Sequence, residues 1–137
     1  MPDFSFIAVL TADPQSVQGL LFLFLALAIG HVIADFPLQG QFIADTKNRN
    51  NDISQYFQDS PPPGLWIHTL TAHSLIHGAA VWLITGSVVL AIIEIFLHWI
   101  IDYVKCEGWT GFNTDQILHY ICKLVYAMAI YLGMSWV

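Results

Sequence analysis

Residues 19–35 read GLLFLFLALAIGHVIAD, an almost unbroken apolar run that closes on a histidine and an aspartate four positions apart. With its flanks, 16–36, it reaches the roughly 20 residues a helix needs to cross a bilayer. Pro37 comes next and disfavours simple continuation of the helix. An apolar helix with ionisable groups at one end is therefore the first unit, and three later stretches of chain repeat the plan.

Residues 37–65 differ in kind. Asn48, Asn50, Asn51, Gln55 and Gln58 precede Pro61-Pro62-Pro63-Gly64, a turn or extended stretch, and this is the one long polar connection. A second helix is expected over 65–85, ended by Thr85-Gly86-Ser87, and a third over 88–105, so that the two form a tight hairpin. After a loop holding Gly108 and Gly111, the fourth begins near Thr114, with Asn113 as its cap and Gln116 in the capping-box position. The fold expected is all-α: a polytopic, four-transmembrane-helix bundle in a single integral membrane domain over 1–137. Its spans lie at about 16–36, 65–85, 88–105 and 114–135. Phe4–Leu10 is too short to span and reads as an interfacial segment, and Met1–Asp13 has no Lys or Arg, so no cleaved signal peptide is expected.

Composition agrees. The 137 residues are 56% hydrophobic and 10% charged, with mean hydropathy +0.62, against about 25% charged residues in an ordinary soluble domain. Such a length leaves no room for a separate soluble catalytic module. The net charge of −6, with four Lys plus Arg, excludes a nucleic-acid partner, because no basic stripe exists to neutralise phosphates. Cys106 and Cys122 form no Cys-x-x-Cys and read as free thiols. Lys47 and Arg49 in the first connection, and Lys105 at the end of the third helix, place both termini away from the cytoplasm, with the bacterial inner membrane as the location.

The chemistry sits in residues that membrane helices avoid. His31 and Asp35, His73 and His77, His98 and Asp102, and Asp115 and His119 are all spaced four apart. That spacing makes each pair neighbours on one helix face, and it lets both side chains grip one ion. In helices of alternating direction, all four pairs fall at one depth. An ionisable residue inside a span costs about 2.5–3.5 kcal/mol, so the set requires mutual compensation. Imidazole with carboxylate suits a divalent transition metal: zinc first, with manganese, iron, cobalt or nickel as alternatives. Eight candidate ligands fit one ion with orienting carboxylates, or two ions. The rival reading is a metal-free proton relay or water-filled polar channel.

Glu94 and Lys123 lie one turn deeper, at matching depth. They read as a buried ion pair bracing the third and fourth helices, or as a general base (Glu94) with an anion clamp (Lys123). Gln39 and Gln116 are placed to orient ligands by hydrogen bonds. Lys105, with Lys47 or Arg49, can attract an anionic group. His68 reads as interfacial, and Asp45, Asp52 and Asp59 as solvated loop charges.

The run His31-Val-Ile-Ala-Asp35-Phe-Pro-Leu-Gln39 resembles the opening motif of the domain of unknown function 3307, a family of small bacterial and phage membrane proteins. His73-x-x-x-His77-Gly78, Glu94-x-x-x-His98-x-x-Ile101-Asp102-x-x-Lys105 and Asp115-Gln116-x-x-His119 continue the resemblance, which runs from about Phe22 to Leu124. More distantly, these helices are similar to those of membrane-bound metal-dependent hydrolases. The expected function is a metal-dependent hydrolase acting on a lipid, lipid-linked phosphate or other amphiphile near the cytoplasmic headgroups, with membrane lipid as partner. The alternatives are a non-catalytic metal-binding accessory protein, working with a second copy or a membrane protein, and an oligomeric ion or proton conduit.

Overall fold

In a computed structural model the chain is described over residues 13–137, so the interfacial segment expected at Phe4–Leu10 lies outside the described residues. Four long helices, α1 (Val17–Asp35), α3 (Leu65–Thr85), α4 (Val88–Cys106) and α5 (Phe112–Tyr131), enclose one interior, and a short α2 (Gly40–Thr46) lies in the first connection. The long helices form a ring in which α1 touches α3 and α5, and α4 touches α3 and α5. Neighbours run antiparallel: Gly30 lies beside Ile84 and Asp35 beside His73, while Glu94 meets Lys123 and Asp102 meets His119.

Local chemistry fixes the ends. The hydroxyl of Ser16 accepts from the Gly19 amide at 3.0 Å, and that of Ser87 from the Leu90 amide at 3.2 Å. Gly86 takes φ 73°, the left-handed conformation in which a Cβ is strained, and reverses the chain between α3 and α4 within two residues. The last helix departs from expectation at its start. Gly111 is its N-cap and Asn113 lies inside the first turn, while the Gln116 amide turns inward to other partners. α2 is unannounced by the polar composition of its connection.

Each long helix turns one row of positions inward at a step of four. In α1 the row is Gly19, Leu23, Leu27, His31, Asp35; in α4 it is Leu90, Glu94, His98, Asp102; in α5 it is Asp115, His119, Lys123, Ala127. Every row changes character along its length. At one end Leu23, Leu27, Val81, Ile84, Leu90, Tyr126 and Ala127 pack as an apolar core. At the other, the ionisable groups fill the interior. The outward faces are apolar: Leu21, Leu25, Ile29, Phe96, Ile100, Ile117 and Val125 are each at least half exposed.

The four-span expectation is not upheld. Among the described residues only α1 has the length and apolarity to cross a membrane, with mean hydropathy 2.2 in its best window. The physical reason is the ionisable groups themselves: three histidines interrupt α3, Glu94, Asp102 and Lys105 interrupt α4, and Asp115, His119 and Lys123 interrupt α5. The first three long helices lie within a residue of the expected bounds, whereas the fourth runs over 112–131 instead of 114–135, and the expected number of spans is not found.

Close packing of α3 on α4 depends on Gly78. A Cβ there would overlap Ile95 Cγ1 and come within 3.1 Å of the Ala91 carbonyl oxygen. Gly78→Val is expected to lower the unfolding free energy by about 1–3 kcal/mol, the usual cost of overpacking. Denaturant titration against wild type measures it, and an unchanged midpoint would show that the two helices do not approach this closely.

Candidate metal centre

The eight residues singled out by their spacing converge. His31, Asp35, His73, His77, His98, Asp102, Asp115 and His119 are all buried, none more than 7% exposed. Asp35 Oδ1 lies 3.2 Å from His73 Nε2 and 3.3 Å from His77 Nε2, and His73 Nε2 lies 3.5 Å from Asp102 Oδ2. The rings of His77 and His98 stack at 3.6 Å, and those of His98 and His119 at 4.1 Å. Ligand-type atoms gather in three overlapping groups, each within 4.8 Å: Asp35, His73, His77 and His98; His31, His98 and His119; and Asp102, Asp115 and His119.

Lysines complete the site. Lys47, just past the end of α2, reaches Asp102 Oδ2 and Gln39 Oε1 at 2.5 Å each. Lys105 donates to Asp102 Oδ1 at 3.1 Å and to Asp115 Oδ2 at 2.9 Å. Gln116 bridges the two ends of the chain, donating to Asp35 Oδ2 at 2.8 Å while its oxygen faces His31 Nε2 at 3.3 Å. Spacing alone could not place Lys47 in the interior. The available signal was electrostatic, since the helices carry more carboxylates than cations and the balance has to come from a connection. Arg49 goes elsewhere, onto Glu107 at 2.8 Å near the surface.

Glu94 and Lys123 are fully buried and 2.5 Å apart, an ion pair between α4 and α5. Glu94 Oε1 also lies 3.4 Å from His98 Nδ1, where it can orient that ring for a ligand on the opposite nitrogen. His68 is exposed. Cys106 and Cys122 are free.

The electrostatics suit metal binding. Burial pushes His77 down to about 4, against the opposing pull of Asp35, and holds His98 well below the usual imidazole range despite Glu94. Both rings are therefore neutral at pH 7, the state in which imidazole binds a metal. Burial pushes Asp102 up, but the contact from His119 and the charge of Lys47 outweigh it and keep it ionised. Burial pulls His119 down, yet the two aspartates beside it prevail and its pKa is raised.

His31 Nδ1, His73 Nδ1, both nitrogens of His77 and His98 Nε2 are buried without a hydrogen-bond partner among the described residues, and His98 Nδ1 has only Glu94 Oε1, 3.4 Å away. An unsatisfied buried polar group costs about 1–3 kcal/mol, whereas a whole domain is stable by only about 5–15 kcal/mol. A ligand that engages these nitrogens removes the discrepancy, and the donor set, imidazole with carboxylate, fits a divalent transition metal.

Removing one partner of the Glu94–Lys123 pair leaves an uncompensated charge. Lys123→Met and Glu94→Gln are each expected to cost about 3–5 kcal/mol, while the double variant recovers most of the loss. A double-mutant cycle in denaturant decides it, and additive losses would dissolve the pair.

Comparison with known families matches residues 23–137 to a family described as a protein of unknown function, DUF3307. No curated protein and no solved structure matches the chain.

Proposed function

The chain belongs to the DUF3307 family, and from that premise we propose that it is a metal-dependent hydrolase acting on an amphiphile, a lipid or lipid-linked phosphate, at a membrane surface. The observation that carries this reading is the buried set of partnerless imidazole nitrogens around Asp35. Asp35, His73, His77 and His98 would hold the ion. When bound, a divalent metal polarises a phosphoryl or acyl oxygen and lowers the pKa of a water molecule.

The residues of the chain supply the rest. A cleft of about 240 Å³ opens beside Asp35, with Gln39, Lys47, Lys105 and Gln116 in its wall. Asp35 thus faces both the imidazoles and the cleft, and ammonium groups stand where an anionic leaving or reacting group would arrive. Glu94 fixes His98, and Gln116 fixes Asp35. In the hydrolysis, a water oxygen forms the new bond to phosphorus or carbon, the bond to the leaving oxygen breaks, and that oxygen takes up a proton.

The amphiphile is suggested by the surroundings. An apolar groove of about 530 Å³ runs between α1 and α3 past Ala26, Gly30, Ala80 and Ile84 to Ala34 and Leu38. Ala34 and Leu38 in its lining are sequence neighbours of Asp35 and Gln39 in the wall of the polar cleft. An acyl chain laid there would bring its headgroup to the lysines. The outward Leu and Ile of α1 supply an apolar face for membrane lipid.

A second reading has a specific observation in its favour. Four protein ligands around one ion close a tetrahedral shell, which is the mark of a structural site. In that case the protein is a non-catalytic metal-binding membrane accessory. A conduit has less support, since the apolar core from Leu23 to Ala127 packs across the interior below the polar layer.

Elemental analysis of purified wild type is expected to find a bound transition metal that is lost in His73→Ala plus His98→Ala; equal content in the two would end the metal reading. Turnover of a lipid phosphate, abolished by chelator and restored by zinc, separates the enzyme from the accessory. Full metal occupancy with no turnover across phospholipid and lipid-phosphate substrates would leave the accessory.

A further inference from the structure

The polar interior is not chemically uniform, and the difference between its halves bears on how many ions it can take. In the half around His73, His77 and His98, the nitrogens His73 Nδ1, both of His77 and His98 Nε2 lack hydrogen-bond partners among the described residues. In the half around Asp102 and Asp115 three of the four carboxylate oxygens accept from lysine, and only Asp115 Oδ1 is left without a hydrogen-bond partner among the described residues. Asp102 receives Lys47 on Oδ2 and Lys105 on Oδ1, and Asp115 receives Lys105 on Oδ2.

We propose, resting on the metal reading of the site, that the centre holds a single divalent ion, on Asp35, His73, His77 and His98, and that the acidic half presents Lys47 and Lys105 to a phosphoryl group of the substrate instead of binding a second ion.

Sterics and charge support the division. The two ammonium nitrogens stand 2.5–3.1 Å from the oxygens of Asp102 and Asp115 that a second ion would need. They block three of the four oxygens, leaving Asp115 Oδ1 beside His119 as the one open carboxylate donor, and their charge would repel a cation there. The group formed by His31, His98 and His119 shares a residue with each of the other two, so it adds no independent position. Charge points the same way. The interior contains four carboxylates, Asp35, Glu94, Asp102 and Asp115, against three ammonium groups, Lys47, Lys105 and Lys123. One dication already turns this balance positive, and a second would leave a large unpaired positive charge in a buried space.

Donor counting supplies the phosphoryl group. An ammonium has three N–H donors and no acceptor. Lys47 uses two, on Gln39 and Asp102, and Lys105 uses two, on Asp102 and Asp115. Each retains one, and both side chains line the cleft that reaches Asp35. A tetrahedral oxyanion there accepts one hydrogen bond from each lysine while an oxygen faces the ion.

Full-length protein purified with zinc present is expected to carry one equivalent per chain, retained in Asp115→Asn and lost in His77→Ala. Two equivalents overturn the division while leaving the metal reading standing; none overturns both. Retention in His77→Ala with loss in Asp115→Asn also overturns it. Lys105 is partly exposed, so Lys105→Gln spares the core. Binding of inorganic phosphate, and of phosphatidylcholine vesicles doped with phosphatidic acid, is expected to weaken by about tenfold in that variant. Arg49→Gln, outside the cleft, is expected to bind as wild type. A loss for vesicles alone identifies a lipid headgroup and a loss for phosphate alone a free phosphate. No loss for either removes Lys105 from the site and overturns the proposal.

Discussion

Charge cancellation at the centre of the helix ring is the constraint on which the rest of the structure depends. Asp35, Glu94, Asp102 and Asp115 lie out of water together with five imidazoles, and an isolated carboxylate in such a place would not stay ionised. Each is met. Lys123 closes on Glu94, Lys47 and Lys105 on Asp102 and Asp115, and Gln116 on Asp35. These contacts come from α1, α4, α5 and the first connection, so the arrangement of the elements and the compensation of the buried carboxylates are one problem with one solution. Truncating any of these side chains is felt by all the helices.

The same constraint explains an inverted distribution of side chains. The long helices turn most of their ionisable residues inward and much of their apolar bulk outward, with Phe96 and Leu83 among the most exposed large side chains. Exposed apolar area of this extent marks a surface that meets lipid or another protein. It also explains why composition misled. Mean hydropathy records how apolar the chain is, but crossing a bilayer requires an apolar run that charges do not break, and α1 alone among the described helices has one.

Much of the candidate site was legible in the sequence because a step of four is a statement about a helix face. Once helices were placed at about the right positions, His31 with Asp35 and His73 with His77 could only face the same way. Depth came from alternating direction. What the sequence hid was supplied by tertiary structure. Lys47 succeeds a seven-residue helix inside a polar connection, and nothing in the local pattern points its side chain at Asp102. Asn113 looked like a cap because Gln116 stood three positions on, yet Gln116 is drawn inward by Asp35 and His31, and Gly111 starts the helix. In both cases a long-range polar contact won over a local preference.

The bridge that Gln116 makes to His31 and Asp35 spans more than eighty residues of chain. By contrast, α3, α4 and α5 are joined by short loops and can assemble through local contacts. Loop closure over the longer distance is slower and entropically dearer. A folding chain with only those three helices docked would already hold Glu94 with Lys123 and Asp115 with Lys105, but would lack Asp35 and the Lys47 that closes on Asp102. On contact order alone, closure of the ring by α1 is expected to follow the docking of α3, α4 and α5, so the Asp35 corner of the site forms with the long-range contacts between α1 and α5.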